Sequence, residues 1–129
     1  MLISLVSLSQ KTPLPKKDNI LFMLQQPEHI NQAIKTIEEL KNSNESKLNL
    51  GDIVIIVCGE AVVSLTTEEA SKWVTQTGKY QNVSIVACGL SLDKFKKQKA
   101  DLVPGIEYTR NGFIKAFELQ KAGYLSVEL

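Results

Sequence analysis

Two runs in the chain, Ile53-Val54-Ile55-Ile56-Val57-Cys58 and Val83-Ser84-Ile85-Val86-Ala87-Cys88, are too apolar to keep a solvated face. Short runs of this kind, rich in β-branched residues and stopped by Gly59 and Gly89, read as central strands of a sheet covered on both sides. The segment between them supplies cover. Thr66 with Glu69 forms a capping box ahead of a helix carrying Ala70, Trp73 and Val74, and Gly78 closes that helix.

The same alternation extends in both directions. Ile20 to Leu24 reads as a first strand, and Pro27 then opens a helical pattern with Ile30, Ala33, Ile34, Ile37 and Leu40 on one face. The polar run Asn42 to Lys47 ends it, and a short turn of helix covers Glu60 to Leu65. After the second cysteine, Ser91 caps a short basic helix through Lys99, and Val103-Pro104-Gly105 turns into a strand at Ile106 to Thr109. Asn111-Gly112 starts a last helix with Ile114, Phe117 and Gln120 aligned, and Gly123 ends it before a strand at Tyr124 to Val127.

Strands that alternate with helices imply crossover connections, which in one sheet are right-handed and parallel. The fold class is therefore α/β: an open five-stranded, mostly parallel sheet with helices on both faces and flavodoxin-like layering, forming a single domain over residues 20–129. Residues 1–19 are an N-terminal extension, either an extra strand or a linker. Its opening MLISLVSLSQ is too short to span a bilayer and has no basic stretch before it, so it reads as part of the fold. The remnant of an export signal is the alternative, because Lys11, Pro13, Pro15, Lys16 and Lys17 follow as a linker would.

Composition narrows the function classes. With 15 Lys+Arg against 14 Asp+Glu there is no overall field to gather nucleic acid or a membrane surface, which points to protein or small-molecule partners. The 2 cysteines form no CxxC pair and His29 is the single histidine, so no metal-ligand set of ordinary spacing can be assembled and no metal is expected. Free thiols in a chain able to build a core make a reducing compartment, the cytoplasm, the default. No GxGxxG follows the first strand and no GxxxxGK[ST] occurs, so a standard phosphate loop is absent. Lys94, Lys96, Lys97 and Lys99 read as a solvated basic helix face, and His29 as a solvated surface residue.

Chemistry in an open parallel sheet sits beyond the carboxyl ends of the strands, where the next helices begin. Cys58, Cys88 and the Arg110-Asn111-Gly112 turn all fall on that side, and Gly59, Gly89, Leu90 and Ser91 complete a candidate binding rim. A thiol there gains from free backbone N–H groups and the positive end of a helix dipole, both of which favour thiolate. Three readings stay open on these residues. Cys88 is a nucleophile; or it is a small wall residue of a non-catalytic module that holds an anion through Arg110, the chain's only arginine; or Cys58, a second thiol that packs in an apolar strand, pairs with Cys88 as a redox switch.

The runs Val83-Ser84-Ile85-Val86-Ala87-Cys88-Gly89-Leu90-Ser91 and Asp101-Leu102-Val103-Pro104-Gly105-Ile106, then Gly112 and Glu118-Leu119-Gln120-Lys121-Ala122-Gly123-Tyr124, resemble the DsrE/DsrF-like family of sulfur-handling proteins. The resemblance covers roughly residues 20–129. It implies an α/β domain that forms homo-oligomers and passes sulfane sulfur as a cysteine persulfide between donor and acceptor proteins, with Cys88 at the family's strand-end position. It requires no metal or organic cofactor. Function on a shared fold still rests on the site, so Cys88 is the residue on which this expectation turns.

Overall fold

The structure is a computed structural model that describes residues 16–43 and 45–129. β1 (Asp18–Leu24) leads through α1 (Pro27–Asn42) to β2 (Leu50–Val57). The short α2 (Ala61–Ser64) and α3 (Glu68–Gly78) precede β3 (Val83–Cys88). α4 (Gly89–Lys94), a 3-10 turn at Lys99–Asp101, β4 (Glu107–Thr109), α5 (Gly112–Lys121) and β5 (Leu125–Glu128) complete the chain. Asp18 and Asn19, expected in the extension, belong to β1, while the rest of the expectation for residues 1–15 falls outside the described residues.

The strands form one five-stranded sheet in the order β4-β3-β2-β1-β5, and every neighbouring pair is parallel. The α/β reading holds, and the sheet is parallel throughout. Alternation along the strands divides the core in two. Ile20, Phe22, Leu24, Ile53, Ile55, Val57, Ile85 and Ala87 face one side and pack under α1, α2, α3 and α4 through residues such as Ile30, Ile37, Val62, Trp73 and Leu92. Each fully buried Ile or Leu there contributes about 1.5–3 kcal/mol of transfer free energy. Leu21, Met23, Val54, Ile56, Cys58, Val86 and Cys88 face the other side, where Ala116 of α5 packs on them.

This unequal division follows from handedness. From β1 to β4 the chain steps across the sheet in one direction, so crossovers of a single hand keep their helices on one face. To reach β5 it must return past β1 to the far edge, and the same hand then places α5 on the opposite face. The connections leaving β3 and β4, which are neighbours, therefore part to opposite sides of the sheet. That is the switch point at which open α/β sheets form their crevice.

Several local expectations are corrected. Thr67, not Thr66, precedes α3, and neither side chain caps it: Thr66 Oγ1 donates to the Val63 carbonyl at 2.7 Å and Thr67 Oγ1 to that of Ser64 at 2.7 Å. Local side-chain to backbone bonds have taken the hydroxyls a cap would use. The basic helix does not reach Lys99, because α4 stops at Lys94 and Lys96 sits at φ 57, outside helical space. The aligned Ile114 and Phe117 of α5 point outward, 55% and 66% exposed, since Gly112 and Ala116 are the small residues that let this helix lie close to the sheet. His29 is half-buried rather than solvated, and its Nδ1 is enclosed without a hydrogen-bond partner among the described residues. No helix among the described residues is long and apolar enough to cross a membrane.

Candidate functional site

Cys88 is the last residue of β3 and stands at the N-cap position of α4, so its sulfur lies at the switch point. Parallel pairing of β2 with β3 matches Val57 with Ala87, and one step further this register sets Cys58 beside Cys88 on the α5 side of the sheet. Neighbouring strands lie about 4.8 Å apart, so the two thiols meet laterally. The Cys58 N–H is itself tied to the Leu24 carbonyl at 2.9 Å, which fixes the backbone just past β2.

Gly112 closes the site from above. Its N–H donates to Cys88 Sγ at 3.2 Å, and a Cβ added there would lie 2.9 Å from Cys58 Sγ, 3.0 Å from Ile56 Cγ2 and 3.1 Å from Cys88 Cβ. Only glycine lets the first turn of α5 come this near the two sulfurs. Asn111 sets that turn by accepting from the Phe113 and Ile114 N–H groups at 3.0 and 3.4 Å, the arrangement of a side-chain N-cap. Under this roof Cys58 is 2% exposed and Cys88 0%.

The two thiols are unequal. The neighbouring Cys58 thiol, with hydrogen bonding from the Gly112 N–H and from Ser91, outweighs burial, so the Cys88 thiol is held below the usual thiol range. Cys58 moves the other way: its proton serves the bond to Cys88, burial disfavours its charge, and the Cys88 thiolate repels a second one. The two sulfurs titrate as a coupled pair that holds one proton between them.

The remaining candidates divide into those that build this site and those that do not. Ser91 was expected to cap α4; instead it lies inside the first turn, and its Oγ accepts the Gly59 N–H at 2.8 Å. Gly59 takes φ +57 to make that contact, bracing the turn after Cys58 against the helix after Cys88. Gly89 is packed where a side chain would collide with the Tyr108 hydroxyl and the Arg110 carbonyl. Leu90 is 41% exposed on the outer side of α4.

Arg110 pairs with Asp93, Nη1 to Oδ2 at 2.9 Å, and both side chains are exposed. The anion it holds is a carboxylate of its own chain. The N–H groups of Gly59, Gly112, Phe113 and Ile114 are likewise engaged, by Ser91, Cys88 and Asn111. Tyr108 and Asp93 went unnoticed in the sequence, where nothing ties Asp93 to a residue 17 positions on. Among the described residues no cluster of His, Cys, Asp and Glu could hold a metal ion.

A cleft of about 320 Å³, lined by Asp52, Ser84, Glu107, Lys115 and Tyr124 among others, opens at the opposite end of the strands. It lies away from the thiols, beneath the last turns of α5.

Compared with family models and with curated proteins, the chain matches none. Among solved structures it is similar to that of the protein of unknown function MTH1491 from Methanobacterium thermoautotrophicum, with a TM-score of 0.73 and 19% sequence identity over 88% of this chain and 100% of that one. The likeness is one of fold.

Proposed function

We propose that the chain is a sulfur carrier of the DsrE/DsrF-like kind, in which Cys88 accepts sulfane sulfur as a persulfide and yields it to an acceptor thiol. One observation carries this reading: the Cys88 sulfur, at the sheet's switch point, receives the Gly112 N–H at 3.2 Å beside the Cys58 thiol, donors that favour thiolate. The Cys88 thiolate attacks the terminal sulfur of a persulfide donor. The donor's S–S bond breaks, its inner sulfur leaves as thiolate, and Cys88–S–SH remains. In the second step an acceptor thiolate attacks the outer sulfur and Cys88 departs as the anion that its surroundings stabilise, a good leaving group.

Burial sets a condition on this chemistry, since donor and acceptor must reach a sulfur that is 0% exposed. The first turn of α5 is the part that must lift. In the first turn of that helix only Gly112 is fully buried, the larger Leu119 packing on the core further along, so the turn can lift from both sulfurs while the rest of the helix stays seated.

The same reading takes the protein to be a homo-oligomer of the cytoplasm that exchanges sulfur with partner proteins. Support for self-association comes from Phe113, Ile114 and Phe117 on α5 and Leu125 and Val127 on edge strand β5, all large apolar residues between 47% and 66% exposed. The carrier reading is tested by alkylating the native protein over a range of pH and mapping the modified residue. Cys88 is expected to react first and to stay reactive below the usual thiol range; reaction at Cys58 first, or at neither until unfolding, would contradict it.

A further inference from the structure

We infer that Cys58 is a resolving thiol, which converts the Cys88 persulfide into a Cys58–Cys88 disulfide and releases the outer sulfur as hydrosulfide. The inference rests on the carrier reading and names what becomes of the sulfur when no acceptor arrives. Its geometric basis is the register of β2 and β3, which places Cys58 beside Cys88 on one face of the sheet. Neighbouring parallel strands hold such residues about 4.8 Å apart, within the Cα separation of about 4.4–6.8 Å that a disulfide spans. The convergence is independently visible at Gly112, where a single added carbon would lie 2.9 Å from Cys58 Sγ and 3.1 Å from Cys88 Cβ.

Roof and pair act together. With α5 seated, a third sulfur has no room beside Gly112, because even a methyl carbon there is tighter than ordinary van der Waals contact with both cysteines and with Ile56. As α5 moves back toward its seat it presses the outer sulfur out and shuts off outside thiols, and Cys58, buried beside Cys88, is the thiol at hand. The Cys58 thiol brings with it the proton that the departing sulfur needs.

The step balances. Starting from Cys88–S–S⁻ and Cys58–SH, the Cys58 proton passes to the outer sulfur and the Cys58 sulfur attacks the Cys88 sulfur. The bond from Cys88 to the outer sulfur breaks, and HS⁻ leaves with the electron pair. One sulfane sulfur is reduced by two electrons, and two cysteine sulfurs are oxidised to the disulfide. An external dithiol returns the pair to its reduced form by exchange, becoming a disulfide itself.

The test treats reduced wild type, Cys58→Ser, Cys58→Ala and Cys88→Ser with inorganic polysulfide, removes the excess, and follows intact mass, peptide-mapped disulfide and released sulfide with time. Wild type is expected to gain and then lose the mass of one sulfur atom, end lighter by two hydrogens with Cys58 joined to Cys88, and release one sulfide per chain. Both Cys58 variants are expected to keep the added sulfur on Cys88 and release none during the same interval. A wild type that holds its persulfide as long as the Cys58 variants, with no disulfide, overturns the resolving role and leaves the carrier standing. Failure of the Cys58 variants and wild type alike to gain sulfur at Cys88 overturns the carrier reading, and with it this one. The wild-type product alone decides the matter should either Cys58 variant fail to fold.

Discussion

The Gly112 N–H points at the sulfur of Cys88 from 3.2 Å, so the first residue of α5 is hydrogen-bonded to the last residue of β3 across the switch point of the sheet. A helix start, a strand end and a thiol are thereby made into one unit. What perturbs the seat of α5 should change the chemistry of Cys88, and what changes the charge of Cys88 should change the stability of the fold.

Gly112→Ala adds a carbon within 2.9–3.1 Å of Cys58 Sγ, Ile56 Cγ2 and Cys88 Cβ. Alanine gains helix propensity, about 1 kcal/mol at a mid-helix site and less at this first position, but overpacking a close contact costs about 1–3 kcal/mol. The variant should be less stable by about 1–2 kcal/mol in denaturant unfolding, and its Cys88 should alkylate faster in the native state because the roof no longer seats.

Asn111→Ala removes the side chain that accepts from the Phe113 and Ile114 N–H groups. Loss of such a cap costs about 1 kcal/mol, here concentrated on the turn that covers the thiols. Native-state hydrogen exchange of α5 and the alkylation rate of Cys88 should rise together, whereas β2 and β3 should keep their protection.

The pH dependence follows from unequal thiols. Unfolded, both cysteines titrate near their ordinary value of 9.0; folded, Cys88 is lowered and Cys58 raised. Between the lowered value of Cys88 and about pH 9 the unfolded chain binds more protons than the folded one, so the pair makes stability rise with pH. Above that the folded chain keeps the Cys58 proton which the unfolded chain has lost, and the slope reverses. Denaturant unfolding of wild type minus that of the Cys58→Ser/Cys88→Ser double variant should therefore peak near pH 9. A difference that is flat with pH would mean that the thiols are not coupled.

Phe117 is 66% exposed, so Phe117→Glu should change stability by less than about 0.5 kcal/mol. If the α5 face joins copies of the chain, light scattering coupled to gel filtration should show an oligomer for wild type and a smaller species for this variant. A monomeric wild type would remove self-association from the account.

Much of the architecture was legible because burial on both faces leaves a plain mark. Ile53 to Val57 and Val83 to Cys88 lack polar alternation, and the Gly, Pro and Asn residues between elements punctuate the chain where the turns occur. The neighbouring ends of Cys58 and Cys88 could also be anticipated from two strands of one sheet. The roof could not. That Ile114 and Phe117 face outward is decided by tertiary contact, as the small Gly112 and Ala116 are what seat α5, and apolar periodicity counts large residues first. Ser91 has the composition of a cap, yet its hydroxyl is drawn to the Gly59 N–H, a partner 32 residues away that no local pattern reveals. Arg110 is solvated at a strand end, as lone arginines commonly are, and Asp93 takes up its charge.

The central claim is that Cys88 takes up and passes on sulfane sulfur, and the most direct measurement is made on Cys58→Ser, where the persulfide should persist. Intact mass should show one added sulfur after treatment with a persulfide donor, peptide mapping should place it on Cys88, and addition of an acceptor thiol should move it onto that thiol. No added sulfur, or sulfur that remains on the protein through excess acceptor, would contradict the carrier account and make Cys88 a packing residue beneath Gly112.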